Sequence, residues 1–183
     1  NDSKSILDEV RSVLTLGTET NIAGMTCGPN AKDSEALIIV EGRNDVRNLL
    51  KFGIKNAIAT MGANVKDELV ELAKKKSNVT AFCDGDRGGK LLLMELSGAL
   101  GKSLTHIAMA PESREVEHLE GKVVTKCLNQ KEAAAKAIAR IKAQLEADDD
   151  GGARKSGTSN GSREIPDNIR EWSVHMGELK KNN

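Results

Sequence analysis

The sequence predicts an α/β fold in which a parallel four-stranded sheet is flanked by helices. Strand-length apolar runs alternate with segments of helical periodicity between residues 37 and 108, which is the rhythm of βαβ units with right-handed crossovers. The first run, Ala-Leu-Ile-Ile-Val at residues 36–40, has no polar residue, as expected of a strand buried on both faces of a parallel sheet.

The strands and helices of this region follow in a regular order. We predict strands over residues 37–40, 57–60, 79–83 and 104–108. Helices are predicted over about residues 44–52, 65–76 and 88–100, where Gly53 and Gly101 stand at the expected C-caps. The domain that these elements form is expected to span residues 36–130.

The segments on either side have simpler patterns. Residues 1–35 predict an amphipathic N-terminal helix followed by a connecting loop, since apolar residues at helical spacing give way to Gly, Pro, Asn and Asp. Residues 131–147 are rich in helix-forming residues and predict a helical extension. Residues 148–163, with three Asp followed by Gly and Ser, predict a flexible linker, and residues 164–183 a C-terminal helical segment.

Carboxylates follow two of the predicted strands. Asp84 and Asp86, separated by Gly85, come directly after the third strand, and Glu41 follows the first. If the two strands are neighbours, the three acids converge at the sheet edge where ligands bind in open α/β folds. Like charges about 4 Å apart repel by roughly 4 kcal/mol at an effective dielectric of about 20, which favours a bound cation. We therefore predict that these acids are catalytic and bind Mg²⁺, which prefers carboxylate oxygens.

Other interpretations of the same residues stay open. Asp-Gly-Asp is also typical of a solvated turn with a helix cap, although Glu is a poor N-cap, so capping does not explain Glu41. Asp45 is a second-rank metal ligand that could instead open the next helix. Arg43, Arg87 and Lys90 stand beside the acids, either as phosphate contacts or to neutralise them.

Composition limits the classes of function. Lys and Arg balance Asp and Glu at 27 each, so no global positive field recruits nucleic acid. The chain has two Phe, one Trp and no Tyr, which argues against an aromatic platform for bases and excludes a tyrosine nucleophile. The three Cys and three His show no ligand spacing, so we expect neither a disulfide framework nor a structural zinc.

Two further classes are also disfavoured. A P-loop does not fit the glycine-rich stretch after Asp84, because Leu91 stands where that motif needs a hydroxyl residue. No apolar run approaches the roughly 20 residues of a membrane span, and no basic-then-apolar leader opens the chain. We therefore expect a cytoplasmic protein without a membrane partner.

Three ordered motifs resemble the archaeal DnaG-type primases and their Toprim domain. They begin with Ile-Val-Glu-Gly-Arg-Asn-Asp-Val at residue 39, Val-Thr-Ala-Phe-Cys-Asp-Gly-Asp-Arg-Gly-Gly at residue 79, and Ala-Pro-Glu-Ser-Arg-Glu-Val-Glu at residue 110. The resemblance covers about residues 36–130. It implies Mg²⁺-dependent synthesis of short RNA primers from nucleoside triphosphates on a DNA template during replication. It also implies that Glu115 and Glu117 help to hold a second metal ion, with Mn²⁺ as a substitute for Mg²⁺.

The resemblance implies alternatives as well. Archaeal relatives are associated with the RNA-degrading exosome as adaptors that favour adenine-rich RNA, so RNA and an exosome cap are further expected partners. A small Toprim nuclease ranks last, because Asp-Gly-Asp-Arg-Gly-Gly resembles primases better. Since the chain opens with Asn1 and the family extends on both sides, we expect a fragment lacking parts of the N- and C-terminal regions.

Overall fold

The structure is a computed structural model that describes residue 6 and residues 18–155. Its strands are β1 (Thr20–Ile22), β2 (Met25–Cys27), β3 (Ala36–Val40), β4 (Ala57–Ala59), β5 (Asn78–Cys83), β6 (His106–Met109) and β7 (Glu132–Ala133). Its helices are α1 (Arg43–Lys51), α2 (Asp67–Lys74), α3 (Arg87–Leu100), α4 (Gly121–Asn129) and α5 (Ala134–Lys155). The α/β class and the order of the central elements are therefore confirmed.

The centre of the sheet is parallel, as predicted. Strands β4, β3, β5 and β6 lie side by side in that order, and each neighbouring pair is parallel. The pairing of β3 with β5 sets Ile39 opposite Ala81, so the carboxyl ends of these two strands lie at the same edge. This adjacency is the condition that the acids after β3 and β5 needed in order to meet.

The sheet has seven strands in the order β1-β2-β4-β3-β5-β6-β7, so the prediction of a four-stranded sheet was wrong. Strands β1 and β2 form an antiparallel hairpin in the segment predicted to be a connecting loop, and β2 pairs antiparallel with β4. Strand β7 pairs antiparallel with β6. The added strands have two or three residues each, and such short elements are stabilised by pairing with the sheet rather than by a sequence period of their own.

Helices cover both faces of the sheet. Helices α2, α3 and α5 bury Leu69, Leu93 and Ile141 against one face. Helices α1 and α4 bury Leu49 and Val124 against the other. The parallel strands are therefore covered on both sides, which explains why their sequences are continuous apolar runs.

The C-terminal boundaries differ from the prediction. Helix α5 continues through residues 148–155, where a flexible linker was predicted, because it packs along α3 and carries an ion pair between Asp149 and Arg87 at 3.1 Å. The predicted helices over residues 1–16 and 164–183 lie outside the described residues, apart from the helical residue 6. Among the residues that the structure describes, no helix has the length and apolar character to cross a bilayer.

Candidate active site

A cleft of about 630 Å³ opens at the carboxyl edge of β3 and β5. Its lining includes five carboxylates, which are Glu41, Asp45, Asp84, Glu115 and Glu117. These acids come from three separate segments of the chain, namely the turn after β3 with the start of α1, the end of β5, and the segment after β6. The fold therefore concentrates negative charge in one concave place.

Asp84 is held by the segment that follows β6. Its Oδ1 accepts a hydrogen bond from the backbone N–H of Val116 at 2.8 Å. Burial raises the pKa of Asp84, the Val116 hydrogen bond lowers it in part, and the charges of Asp86 and Glu117 raise it further. The carboxylate is thus fixed in position, but burial and nearby negative charges disfavour its ionised form. A bound cation would stabilise that form.

Glu41 stands directly after β3 and lines the same cleft. Loss of solvent raises its pKa, and so do the negative charges of Asp84, Asp86 and Glu115. The sequence prediction required Glu41 to share one electrostatic environment with the two acids after β5. Glu41 and Asp84 line the same cleft, and the charges of Asp84 and Asp86 both act on the pKa of Glu41.

Asp86 has a local role in addition. It is the N-cap of α3, and its Oδ1 accepts the backbone N–H of Gly89 at 2.8 Å. The cap interpretation of Asp-Gly-Asp therefore holds for one oxygen of this residue. Asp86 does not line the cleft itself, but its charge raises the pKa values of Glu41 and Asp84.

Asp45 lies deeper than the other acids. It is only 7% exposed, and its Oδ2 accepts the backbone N–H of Gly42 at 2.9 Å. Burial raises its pKa to about 6, and the charges of Asp84, Glu117 and Glu41 contribute to the rise. Helix α1 begins at Arg43 with Gly42 as its N-cap, so the prediction that Asp45 could open the helix was wrong. Asp45 is instead the third helical residue, where its carboxylate accepts the N–H of the N-cap and lines the acidic cleft.

The segment after β6 supplies a tight group of possible ligands. Glu115, Glu117 and His118 bring one ligand atom each to within 4.8 Å of one another. A hydrogen bond with Glu117 raises the pKa of Glu115. His118 was not predicted as a ligand, because the three histidines of the sequence show no ligand spacing.

Asn48 holds this segment against α1 and was missed by sequence reasoning. Its buried side-chain amide donates to the carbonyl oxygens of Val116 and Leu119, both at 2.9 Å. The signal was present, because Asn48 is a polar residue beside Leu49 on the buried face of an amphipathic helix.

Gly85 explains how the turn after β5 is shaped. A Cβ at this position would lie 2.0 Å from the carbonyl oxygen of Pro111 and 2.6 Å from that of Ala110. The backbone N–H of Gly85 also donates to the carbonyl oxygen of Arg114 at 2.9 Å. Close approach of two chain segments therefore requires glycine between the two aspartates.

The predicted phosphate contacts do not form one group. Arg43 lines the cleft, and its Nε donates to the hydroxyl of Thr26 at 3.3 Å. Arg87 pairs with Asp149 of α5 at 3.1 Å, and neither Arg87 nor Lys90 lines the cleft. Arg47, which the sequence analysis did not select, lines it instead.

Comparison with known proteins finds a matching family and similar sequences. The model of the Toprim domain family matches residues 36–110. DNA primase DnaG of Methanocella arvoryzae is 47% identical over 130 residues, covering 71% of this chain and 26% of that protein. This chain is a Toprim-domain relative of the archaeal DnaG primases. DNA primase DnaG of Methanosarcina mazei is 37% identical over 179 residues, covering 95% of the chain and 34% of that protein.

The DnaG-type chain thus spans about a quarter to a third of the length of these curated relatives. A solved structure, the RNA polymerase domain of Mycobacterium tuberculosis primase DnaG in complex with a double-stranded DNA oligomer with an overhang, matches with a TM-score of 0.51. That match covers 82% of this chain and 53% of the solved one at 15% identity, so it concerns the fold alone.

Proposed function

We propose that this DnaG-type chain carries the catalytic carboxylates of a DNA primase, a nucleotidyltransferase that makes short RNA primers from nucleoside triphosphates on a DNA template. One observation carries the proposal, which is that adjacent parallel strands bring Glu41 and Asp84 into one cleft. The supporting likeness to primases comes from relatives at 37–47% identity.

The donor set fits a hard divalent cation. Carboxylate oxygens that follow neighbouring strands suit Mg²⁺, which takes one or two protein carboxylates and leaves other positions to water or phosphate. Burial and nearby negative charges raise the pKa values of Glu41 and Asp84, and a cation would stabilise their ionised forms. Glu41, Asp84 and Asp86 would hold one ion. Asp45, Glu115 and Glu117 would complete that site or a second one, and Mn²⁺ would substitute. When bound, the cation supplies activation of the attacking hydroxyl and charge neutralisation at the phosphate.

Backbone N–H groups of the chain position three of the acids. The Val116 N–H holds Asp84, the Gly89 N–H holds Asp86, and the Gly42 N–H holds Asp45. Glu41 has no such hydrogen bond in the described part of the chain, and burial and nearby negative charges raise its pKa, as is common for general acids and bases. Glu41 is therefore assigned as a metal ligand or as the acid/base of the reaction.

Primer synthesis by variants tests this assignment. Glu41→Gln and Asp84→Asn should each reduce primer synthesis by at least about a hundredfold, as expected when a group that acts on the transition state is lost. Glu71→Gln is the matched control, because Glu71 forms only an exposed ion pair with Lys74. Circular dichroism and the free energy of unfolding should show that all three variants fold.

Unchanged primer synthesis in either cleft variant would remove the catalytic assignment. Adenine-rich RNA bound equally well in EDTA and in Mg²⁺, without any polymerisation, would favour the exosome adaptor role instead. Cleavage of labelled RNA that depends on Asp84 would favour a nuclease. Each of these results is read from the same set of variants.

A further inference from the structure

Two arginines stand one helical turn apart on α1 and line the acidic cleft. Arg43 and Arg47 are separated by four residues, the spacing that places side chains on the same face of a helix. Arg43 was selected from the sequence for its place beside Glu41, whereas Arg47 had no such mark. Their joint position at the cleft is a product of the fold.

Both guanidinium groups are held by the N-terminal hairpin region. Arg47 donates from Nε to Oε2 of Glu19 at 2.6 Å and from Nη2 to Oε1 at 3.1 Å. Arg43 donates from Nε to the Thr26 hydroxyl at 3.3 Å. Glu19 directly precedes β1 and Thr26 lies in β2, so the hairpin orients both side chains.

These contacts leave donors unused. A guanidinium has five N–H groups in a fixed fork, and Glu19 takes two of those on Arg47 while Thr26 takes one on Arg43. In the part of the chain that the structure describes, no other hydrogen bond engages either guanidinium. Each guanidinium is oriented by the hairpin region and keeps N–H groups that can donate to the oxygens of a phosphate.

The negative charge of the cleft determines what the arginines must do for an anionic ligand to bind. Five carboxylates line it, so a polyanion would be repelled unless positive charge stood beside them. A cation held by the acids would neutralise one side of a triphosphate, and the arginines would neutralise the other. The cleft volume of about 630 Å³ is in the range of pockets that bind small molecules, such as a nucleotide.

We propose that Arg43 and Arg47 form a clamp for the triphosphate of the incoming nucleotide, and that Thr26 and Glu19 of the hairpin region orient it. The inference rests on the proposed function and adds the ligand class and the binding residues. It also gives the hairpin a role: Glu19 and Thr26 are positioning residues that act through the two arginines.

Calorimetric binding of inorganic triphosphate in the presence of Mg²⁺ tests the clamp. Arg47→Ala should weaken binding by roughly tenfold, as loss of a charge-assisted hydrogen bond predicts, and Arg47→Lys should recover only part of it because an ammonium lacks the fork. Arg140→Ala is the matched control. Arg140 forms a similar two-point ion pair with Glu132, both contacts at 2.6 Å, and neither residue lines the cleft.

The variant Glu19→Gln shows whether Glu19 orients the Arg47 guanidinium or competes with phosphate for it. If Glu19 orients the fork, the substitution should weaken triphosphate binding about threefold, since one partner of the fork loses its charge. In primer synthesis the KM for nucleoside triphosphate should rise in both Glu19→Gln and Arg47→Ala while kcat changes little. Tighter binding in Glu19→Gln would overturn the orienting role, because the carboxylate would then be competing with phosphate.

Other outcomes would count against the clamp as a whole. Unchanged triphosphate binding in Arg47→Ala would remove it, and so would weaker binding of a single-stranded oligonucleotide with unchanged triphosphate binding, since the arginines would then contact the polymer backbone. Mn²⁺ binding should stay intact in Arg47→Ala and be lost in Asp84→Asn. If triphosphate binding is unchanged in Arg47→Ala, the clamp is removed but the proposed function stands. If the wild type does not bind Mn²⁺, both the clamp and the proposed function are contradicted.

Discussion

The two edges of the parallel sheet are built from the same strands and carry opposite kinds of polar group. At the carboxyl edge, Glu41 after β3 and Asp84 after β5 line one cleft, and burial and nearby negative charges raise the pKa of each. At the amino edge lies a second cleft, of about 480 Å³, whose lining contains no carboxylate. Its lining residues are Ala36, Leu37, Ile38, Asn56, Asn78, Thr80, His106, Leu128 and Lys131.

Two polar side chains at the amino edge, those of Asn56 and Thr105, bind the backbone. The Asn56 amide donates to the carbonyl oxygen of Ala36 at 2.9 Å. Thr105 accepts the N–H of Val79 at 2.9 Å and donates back to its carbonyl oxygen at 3.0 Å. These groups complete the ends of strands, and such hydrogen bonds contribute to stability.

The polar groups of the carboxyl edge are mainly charged acids. Its acids are desolvated and close to like charges, which costs stability in the absence of a cation. The contrast supports the proposal that the acidic edge binds a ligand, whereas the polar groups of the amino edge stabilise the fold. Substitutions at the two edges should therefore separate stability from metal binding.

The largest effect is expected at the turn between the two aspartates. Gly85→Ala would put a Cβ 2.0 Å from a backbone oxygen of Pro111, so the turn must open. We expect the free energy of unfolding to fall by about 4 kcal/mol, with loss of Mn²⁺ binding, since overpacking against backbone cannot relax by a rotamer change.

Urea denaturation measures this cost, and Gly88→Ala provides the control. A Cβ at Gly88 would lie 3.4 Å from Oδ1 of Asp86 within α3, so that change should be neutral or stabilise by up to about 1 kcal/mol. Equal stability of the two variants would show that the close approach at Gly85 does not constrain the turn.

A smaller effect should appear as pH dependence at Asp45. Its pKa is raised from 3.8 to about 6 in the folded chain, so the folded state binds this proton more tightly than the unfolded state. Stability contributed by the neutral carboxyl is therefore present below about pH 4 and lost as pH rises through about 6. Asp45→Asn should be more stable than the wild type by about 2 to 3 kcal/mol at pH 8 in EDTA, with little difference at pH 4.

The pH series of unfolding free energies is the measurement. Addition of Mg²⁺ at pH 8 should stabilise the wild type more than Asp45→Asn, because a bound cation favours the ionised carboxylate. Parallel stability profiles for the two proteins between pH 4 and pH 8 would show that Asp45 is not strained.

The smallest effects compare two asparagines at opposite edges. Asn48→Ala removes two hydrogen bonds to backbone carbonyls and should cost about 2 kcal/mol, whereas Asn56→Ala removes one and should cost about 1 kcal/mol. Only Asn48→Ala should weaken Mn²⁺ binding, because Asn48 holds the segment that carries Glu115 and Glu117. Calorimetric titration decides this, and equal Mn²⁺ affinity in both variants would contradict the division between the edges.

Much of this arrangement could be predicted from the sequence for a physical reason. A parallel strand buried on both faces is a continuous apolar run, so β3 and β5 were visible, and the acids that follow them were visible too. The short strands β1, β2 and β7 were not, because they depend on pairing across the sheet. The end of α5 was missed since its Asp-rich composition favours a linker, and an ion pair with Arg87 depends on tertiary contact.

The site was predictable only in part for the same reason. Glu41, Asp84 and Asp86 follow strands, so their position was fixed by the order of the sheet. Arg47 and Asn48 act through partners that are 28 and at least 68 residues away in sequence, so the local pattern does not show which groups they bind.

The anomalous signal of Mn²⁺ in crystals of this chain shows whether the carboxyl edge of β3 and β5 binds a divalent cation. We expect a peak about 2 Å from carboxylate oxygens of both Glu41 and Asp84, close to the distance at which small hard cations bind oxygen. A peak confined to Glu115, Glu117 and His118, or one at the amino edge, or an empty cleft at saturating Mn²⁺, would contradict this expectation.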